Sequence, residues 1–281
     1  MDMRKPPDDA RSAEQVRQHY DVEVELASVL RTAPKDQRLQ LYARLYDELY
    51  RRVPAHPQLT RKLSAGATRA EIDQQMKFLR RFLRPDATYL EIGAGDCALA
   101  IEAARLVRKA YALDVSEEVV KNTIFPGNGE LVLSDGCSVP VAPGSVDVAY
   151  SNQLMEHLHP DDALEQLQNI HRSLADGGLY ICITPNRLNG PHDVSKYFDD
   201  VAKGFHMKEY TTRELASLFQ AVGFRRVTPY LRVLGRHFAV PRWVPALGER
   251  LLEMLPVRTG HALATRVPFR WLLGIQLVGR K

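Results

Sequence analysis

Three acidic residues close three short apolar runs: Glu91 in TYLEIG, Asp114 in AYALDV and Asp135 in ELVLSD. The first run leads into Gly93-Ala94-Gly95-Asp96-Cys97-Ala98, where small residues let the backbone approach a ligand and a following helix aims free N–H groups at it. Taken alone this loop fits a dinucleotide fingerprint, with Asp114 lying 21 residues beyond Gly93 as the ribose-binding acid. It also fits a plain strand-to-helix turn that needs glycine for its geometry. Acids on successive strand ends, however, line the one sheet edge where doubly wound folds bind ligands. There Asp114 can accept from ribose hydroxyls, Asp135 from an adenine amino group, and Glu91 can favour a cationic group nearby.

The elements that must position these residues read as alternating strands and helices. TYLEIG, AYALDV, ELVLSD, VDVAYS and LYICIT are five expected strands, with helical stretches near 97–109, 116–123, 153–158 and 160–175. Such alternation indicates parallel βαβ units. A helix from Thr212 to Ala221, capped by Thr211 or Thr212, a strand in FRRVTPYLRV and a last strand in LLGIQLVG follow. The segment 235–270 is rich in Pro and Arg and shows no clean period. The first 85 residues are helical, with Leu41, Leu45, Leu49 and Val53 in one stripe and Tyr42, Tyr46 and Tyr50 in a second that reads as core or interface. Pro54 and Pro57 end that helix, and Thr68, with Glu71 three residues on, predicts the next helix start. The expected division is a helical cap (1–85), a cofactor core (86–234), a basic insertion (235–270) and a final core strand (271–281).

In this order and spacing the set resembles the class I S-adenosylmethionine-dependent methyltransferases, particularly the bacterial small-molecule branch known as type 11. The resemblance covers about residues 75–230 and continues beyond that strand. YLEIGAGDC looks like the family's first motif, ALDVS its second, and LSDGCSVPVAPGSVDVAYSNQLMEHL its third and fourth, followed by a helix–loop LADGG and the strand YICITPN. One departure is Cys97, a small residue read as a buried hydrophobe, where a third glycine is usual. The resemblance implies an α/β, doubly wound, Rossmann-like, seven-stranded mixed sheet with its last strand antiparallel. It implies S-adenosylmethionine as cofactor, bound by Glu91, Gly93, Gly95, Asp114, Val115, Asp135, Gly136 and Ser151. Methyl transfer is an in-line displacement at carbon, so the protein mainly positions the acceptor and removes its proton. His157, with Glu156 and later His206, is the expected catalytic group; the alternative is that the Glu-His pair only shapes its loop. Ubiquinone-pathway and small-RNA methyltransferases bind a divalent ion through a related Glu-x-x-Glu-His segment, but Gln153 replaces the first acid here, and no metal is counted in the expected site. The segment 186–205, with His192, Asp193, Lys196, Tyr197, Phe198, Asp199 and Asp200, is expected to close over a small-molecule acceptor, most simply for O-methylation.

Composition agrees with such a fold. The 281 residues are 45% hydrophobic and 26% charged, which disfavours a disordered chain, a collagen-like repeat or a membrane-embedded bundle. The opening MDMRKPPDDAR has no apolar core of a signal peptide, and three scattered cysteines make neither a disulfide frame nor a zinc knuckle, so a cytoplasmic location is expected. The net charge of +4 hides an asymmetry: Arg225–Lys281 carries eleven basic and two acidic residues, net +9, and leaves −5 for the rest. A basic, aromatic-bearing tail suggests peripheral membrane contact or ordinary packing against the sheet. Nucleic acid is a disfavoured partner, since there is no interleaving of aromatic and basic residues typical of a single-strand stacking platform and no recognisable RNA-binding module. Two rival readings are a nicotinamide-dependent oxidoreductase and a non-catalytic protein that senses the methyl donor.

Overall fold

The computed structural model describes residues 9–57, 59, 65–115 and 124–281. Its strands are β1 Thr88–Ile92, β2 Lys109–Asp114, β3 Gly129–Leu133, β4 Val146–Asn152, β5 Leu174–Thr184, β6 Arg226–Val233, β7 Arg236–Ala239 and β8 Ile275–Arg280. They form one sheet in the order β3-β2-β1-β4-β5-β8-β6-β7. β1 to β5 run parallel, and β8 lies antiparallel between β5 and β6. The strand order reverses between β1 and β4, which places the switch point at the C-terminal ends of those two strands.

The expected seven strands are thus present, with an eighth. β7 is a hairpin partner of β6, made by a two-residue turn in which Leu234 and Gly235 both have positive φ, 49° and 75°. That geometry matches the twist of a tight hairpin. The rest of 235–270 is also ordered, contrary to the aperiodic reading: three short helices run Trp243–Glu253 (later α7), Val257–Ala264 (α8) and Phe269–Leu272 (α9). Pro256 and Pro268 occupy N-cap positions, so prolines that break the pattern in the sequence are helix starts in the fold.

The earlier helices are α1 Ala13–Thr32, α2 Lys35–Arg52, α3 Ala65–Leu79, α4 Ala98–Ala104, α5 Pro160–Ser173 and α6 Thr212–Val222. α3 is helical from Ala65, so Thr68 sits inside it and is not its cap. Thr211 caps α6 through a reciprocal capping box with Glu214. LADGG is not a helix–loop; β5 begins at Leu174 and carries it, with a register shift opposite Val146 and Val148. Only a single 3-10 turn, Met155–His157, forms in the stretch 153–158. The helix expected at 116–123 lies outside the described residues.

Two apolar clusters cover the sheet. One joins Tyr89, Val148 and Tyr150 to α3 and α4; the other joins Leu90, Ile92 and Ala149 to α5, α6 and the N-terminal helices through Leu26, Leu30, Leu41, Leu45 and Leu49. β1 is buried along its whole length, as a central strand covered on both faces must be. A buried ion pair fastens α2 to α5: Asp162 accepts from Arg38 Nε and Nη2 at 2.8 and 2.6 Å and from the Tyr42 hydroxyl at 2.7 Å. No helix among the described residues is long and apolar enough to cross a membrane.

Candidate functional site

A cavity of about 200 Å³ opens over the C-terminal ends of β1, β2 and β4. Gly93, Asp114, Val115, Ser134 and Gly136 form its sheet side; Tyr42, Tyr46 and Tyr50 of α2 face them, and Gln153 and His157 close one end. The glycine loop is tied to β2, since Leu113 O accepts from the N–H groups of Gly93 and Ala94 and Asp114 Oδ2 accepts from Gly95 N–H at 2.8 Å. Gly93 has φ +71°, and Gly136 has φ +96°, where a Cβ would come within 3.0 Å of the Tyr42 ring. Cys97, in place of a third glycine, takes up φ 59° at the N-cap of α4. The loop therefore keeps a glycine-like path at a strain of about 1–2 kcal/mol for a residue bearing a Cβ.

Four of the eight expected cofactor residues, Gly93, Asp114, Val115 and Gly136, line this cavity. Glu91, Gly95, Asp135 and Ser151 do not. Gly95 secures the loop, and Asp135 Oδ1 accepts from Cys137 N–H and Ser138 N–H, closing its own turn. Ser151 is fully buried, its hydroxyl bonded to Tyr180. Glu91 lies buried in β1, and burial, reinforced by Asp96 and Asp114, pushes its pKa well up. Its Oε2 has no hydrogen-bond partner among the described residues. A glycine cradle and a strand-end aspartate together fit the ribose of a nucleoside, whereas Glu91, outside the cavity and held toward its neutral form, is not the group that meets a cationic ligand there. The tyrosine stripe, Ser134 and Gln153 were not expected in this wall.

A second cavity, of about 770 Å³, adjoins the first, and Tyr46, Gln153 and His157 line both. Gln153, at the junction, is held with φ 53°. His157 Nδ1 lies 2.8 Å from the Tyr46 hydroxyl and 3.2 Å from Phe205 O. A carbonyl only accepts, so the tautomer that satisfies Phe205 carries its proton on Nδ1 and leaves Nε2 basic. Burial and neighbouring His206 push the pKa of His157 down to about 3, so its ring is neutral at ordinary pH.

The His206 ring stands 4.8 Å from that of His157, edge to face, and its Nδ1 is 2.6 Å from Glu209 Oε1. Burial lowers the pKa of His206, but Glu209, Glu156 and Asp193 outweigh it and raise the net value. Glu156 is buried; Oε2 accepts from the Thr184 hydroxyl at 2.8 Å, whereas Oε1 has no partner among the described residues. The structure thus brings Glu156, His157 and His206 together, with ligand atoms within 4.8 Å of one another.

The N-terminal helices complete the larger cavity with groups that no motif announces: Arg11, His19, Glu23 and His56. Arg11 donates to His19 Nδ1 at 2.7 Å and Glu23 Oε2 lies 2.6 Å from Nε2, so both nitrogens of His19 are engaged within the protein. From the expected lid, His192, Asp193, Lys196 and Tyr197 face this cavity, while Phe198 is buried and Asp199 bonds Tyr20 and Lys203. α1 grips the lid's end: Glu23 accepts from Phe205 N–H, and Arg31 donates to the carbonyls of Lys203, Gly204 and His206. His206 is therefore set in place from the cap.

Comparison with known proteins agrees with this geometry. A family described as a methyltransferase domain matches residues 65–228, more than half of the chain. Among solved structures, a complex between the Haloferax volcanii Trm112 methyltransferase activator and a methyltransferase has a TM-score of 0.53 at 18% identity, covering 77% of this chain and 94% of that one. An S-adenosylmethionine-dependent methyltransferase from Mesorhizobium loti has a TM-score of 0.51 at 14% identity, covering 75% and 100%. One from Archaeoglobus fulgidus has a TM-score of 0.50 at 17% identity, covering 75% and 94%. At these identities the likeness is one of fold. No protein of curated function matches the chain.

Proposed function

We propose that this chain, which belongs to the class I S-adenosylmethionine-dependent methyltransferases, methylates an oxygen of a small-molecule acceptor. The observation that carries this reading is the shared wall: His157, Tyr46 and Gln153 stand between the cofactor cavity and a larger polar one. S-adenosylmethionine supplies the methyl group and a sulfonium leaving group. Gly93, Gly136 and the α2 tyrosines shape its bed, and Asp114 takes ribose hydroxyls. His157 Nε2 takes the acceptor's proton, with Nδ1 anchored on Phe205 O. Burial keeps the His157 ring neutral, so Nε2 is free to accept a proton. The lid and α1 exclude water from the transfer. The three cysteines are free and buried, which suits the reducing cytoplasm.

A second reading is favoured by one observation, the buried and unpartnered Glu156 Oε1 beside His157 and His206. These three residues would hold a divalent cation, which would lower the pKa of an acceptor hydroxyl. Metal analysis of the purified chain, with and without chelator treatment, tests it.

Titration calorimetry should show binding of S-adenosylmethionine, and an Asp114→Ala variant that bound equally well would overturn the cofactor assignment. A screen of phenolic, sugar, carboxylate and lipid-linked acceptors, read by the mass gain of one methyl group, identifies the substrate. Demethylated cofactor that forms only with acceptor separates turnover from sensing.

A further inference from the structure

α7 turns its apolar residues the wrong way for a packed helix. Trp243, Leu247 and Leu251, spaced by four, are 66, 52 and 49% exposed, and Met254 continues the stripe at 82%. The opposite face, Pro245, Gly248, Glu249 and Leu252, is buried. The exposed charge on this edge is basic. Arg242, Arg250 and Arg258 are exposed and have no ion-pair partner among the described residues. Of the two acids here, Glu249 is buried and accepts from Asn186, Thr212 and Arg213, and Glu253 pairs with Arg187 and Arg213.

Beneath this edge lies a third cavity, of about 480 Å³, between α7, α8 and the lid. Leu188, Val201, Met207, Leu252, Leu255 and Val257 give it an apolar wall, and Arg187, Asp200, Lys208, Glu209, Glu253 and His261 line it too, with His206. Leu255, between the stripe and α8, and Val257, at the start of α8, are themselves exposed. His206 lines this cavity and also the polar acceptor cavity. His206 thus stands between this cavity and the polar chamber.

We propose that the α7–α8 edge docks on an anionic membrane surface, and that the cavity beneath it takes the apolar tail of an amphiphilic acceptor whose polar head enters the chamber of His206 and His157. The second clause rests on the methyl-transfer reading above. Exposed leucine and tryptophan flanked by arginine suit the interface of a membrane with anionic headgroups. A second copy of the chain is a poorer occupant, because a self-complementary patch would bring like-charged arginines together.

Flotation of the full chain with phosphatidylcholine vesicles, with and without phosphatidylglycerol, tests the docking and needs no cofactor. Binding is expected only with the anionic lipid and is expected to weaken at high salt. Each arginine near such a surface contributes roughly fivefold, so Arg250→Ala with Arg258→Ala should lower partitioning about 25-fold. Leu247→Glu and, separately, Leu251→Glu should abolish it; both positions are exposed, so folding is spared. In a Trp271→Phe background Trp243 is the only tryptophan, and its emission should shift to the blue and be quenched by brominated acyl chains. A fluorescent dodecanoate should bind the vesicle-free protein, and Val257→Trp should block it. No binding to anionic vesicles, or equal binding by both glutamate variants, overturns the docking. A dimer dissolved by Leu247→Glu, or binding only to an acidic protein, overturns it in favour of that partner. Dodecanoate binding unaffected by Val257→Trp overturns the tail assignment. Failure of the methyl-transfer reading appears separately, as loss of S-adenosylmethionine binding by the unaltered chain.

Discussion

Replacing Asp162 by alanine should destabilise the protein by about 3–5 kcal/mol, because it strands a buried guanidinium. The Asp162 side chain is 0% exposed and that of Arg38 is 6% exposed, and the carboxylate takes two bonds from Arg38 and one from Tyr42. Without it Arg38 keeps the Ala33 carbonyl at 3.0 Å and a distant, exposed Asp161 at 3.9 Å. For a chain of roughly this size each kcal/mol lowers Tm by about 2–4 °C, so the melt should fall by roughly 6–20 °C. Asp162→Asn keeps the shape but not the charge and should lose about 1.5–3 kcal/mol. Burial alone would raise the pKa of Asp162, but the bonds from Arg38 and Tyr42 outweigh it and hold it below the usual value. A carboxyl lowered in this way adds stability above its unfolded pKa, near 3.9, and that stability is lost as pH falls through the folded value. The gap between the unaltered chain and Asp162→Asn should therefore be constant from about pH 7 to 5 and close below about pH 4. Urea melts across this range measure it. An alanine variant that loses under about 1 kcal/mol, or a gap that ignores pH, would refute the account of how the cap is fastened.

Gly136→Ala should weaken S-adenosylmethionine binding at least about tenfold by calorimetry, since the position is strained for any Cβ and the methyl group would push on Tyr42; unchanged affinity would sink that account. Arg31→Met should expose the amides of 203–206 to hydrogen exchange, with protection falling by more than about tenfold as charged bonds of about 1.5–3 kcal/mol each disappear. Equal protection would mean that the lid end holds itself. His157→Gln should leave cofactor affinity nearly unchanged while methyl transfer drops by roughly 10²–10⁴. A loss under about tenfold would leave the residue with a loop-shaping role only.

Backbone geometry at the glycine loop was legible because neighbouring residues dictate it: Gly93 and Gly136 follow strand ends in turns that take positive φ, Asp114 closes β2, and each reaches the cavity. The loop even keeps its path with Cys97 at φ 59°. Side-chain direction was less legible. Asp135 lies at the expected strand end, yet its carboxylate closes its own turn, and Ser151 points into the core. The prolines of 235–270 hid three helices, because Pro256 and Pro268 read as breaks and α7 carries apolar residues on its exposed as well as its buried face. Contacts between residues far apart in the chain were not legible at all. Tyr46 meets His157 across 111 residues, Asp162 meets Arg38 across 124, and Glu23 meets Phe205 across 182. The amino-acid sequence by itself determined the turns, the strand alternation and the chemistry available at the sheet edge, all of which depend on adjacent residues. Only the tertiary structure decided that a tyrosine stripe would roof the cavity at the strand ends, that α1 would hold His206, and that α7 would turn its leucines outward, because those outcomes depend on which distant surfaces pack together.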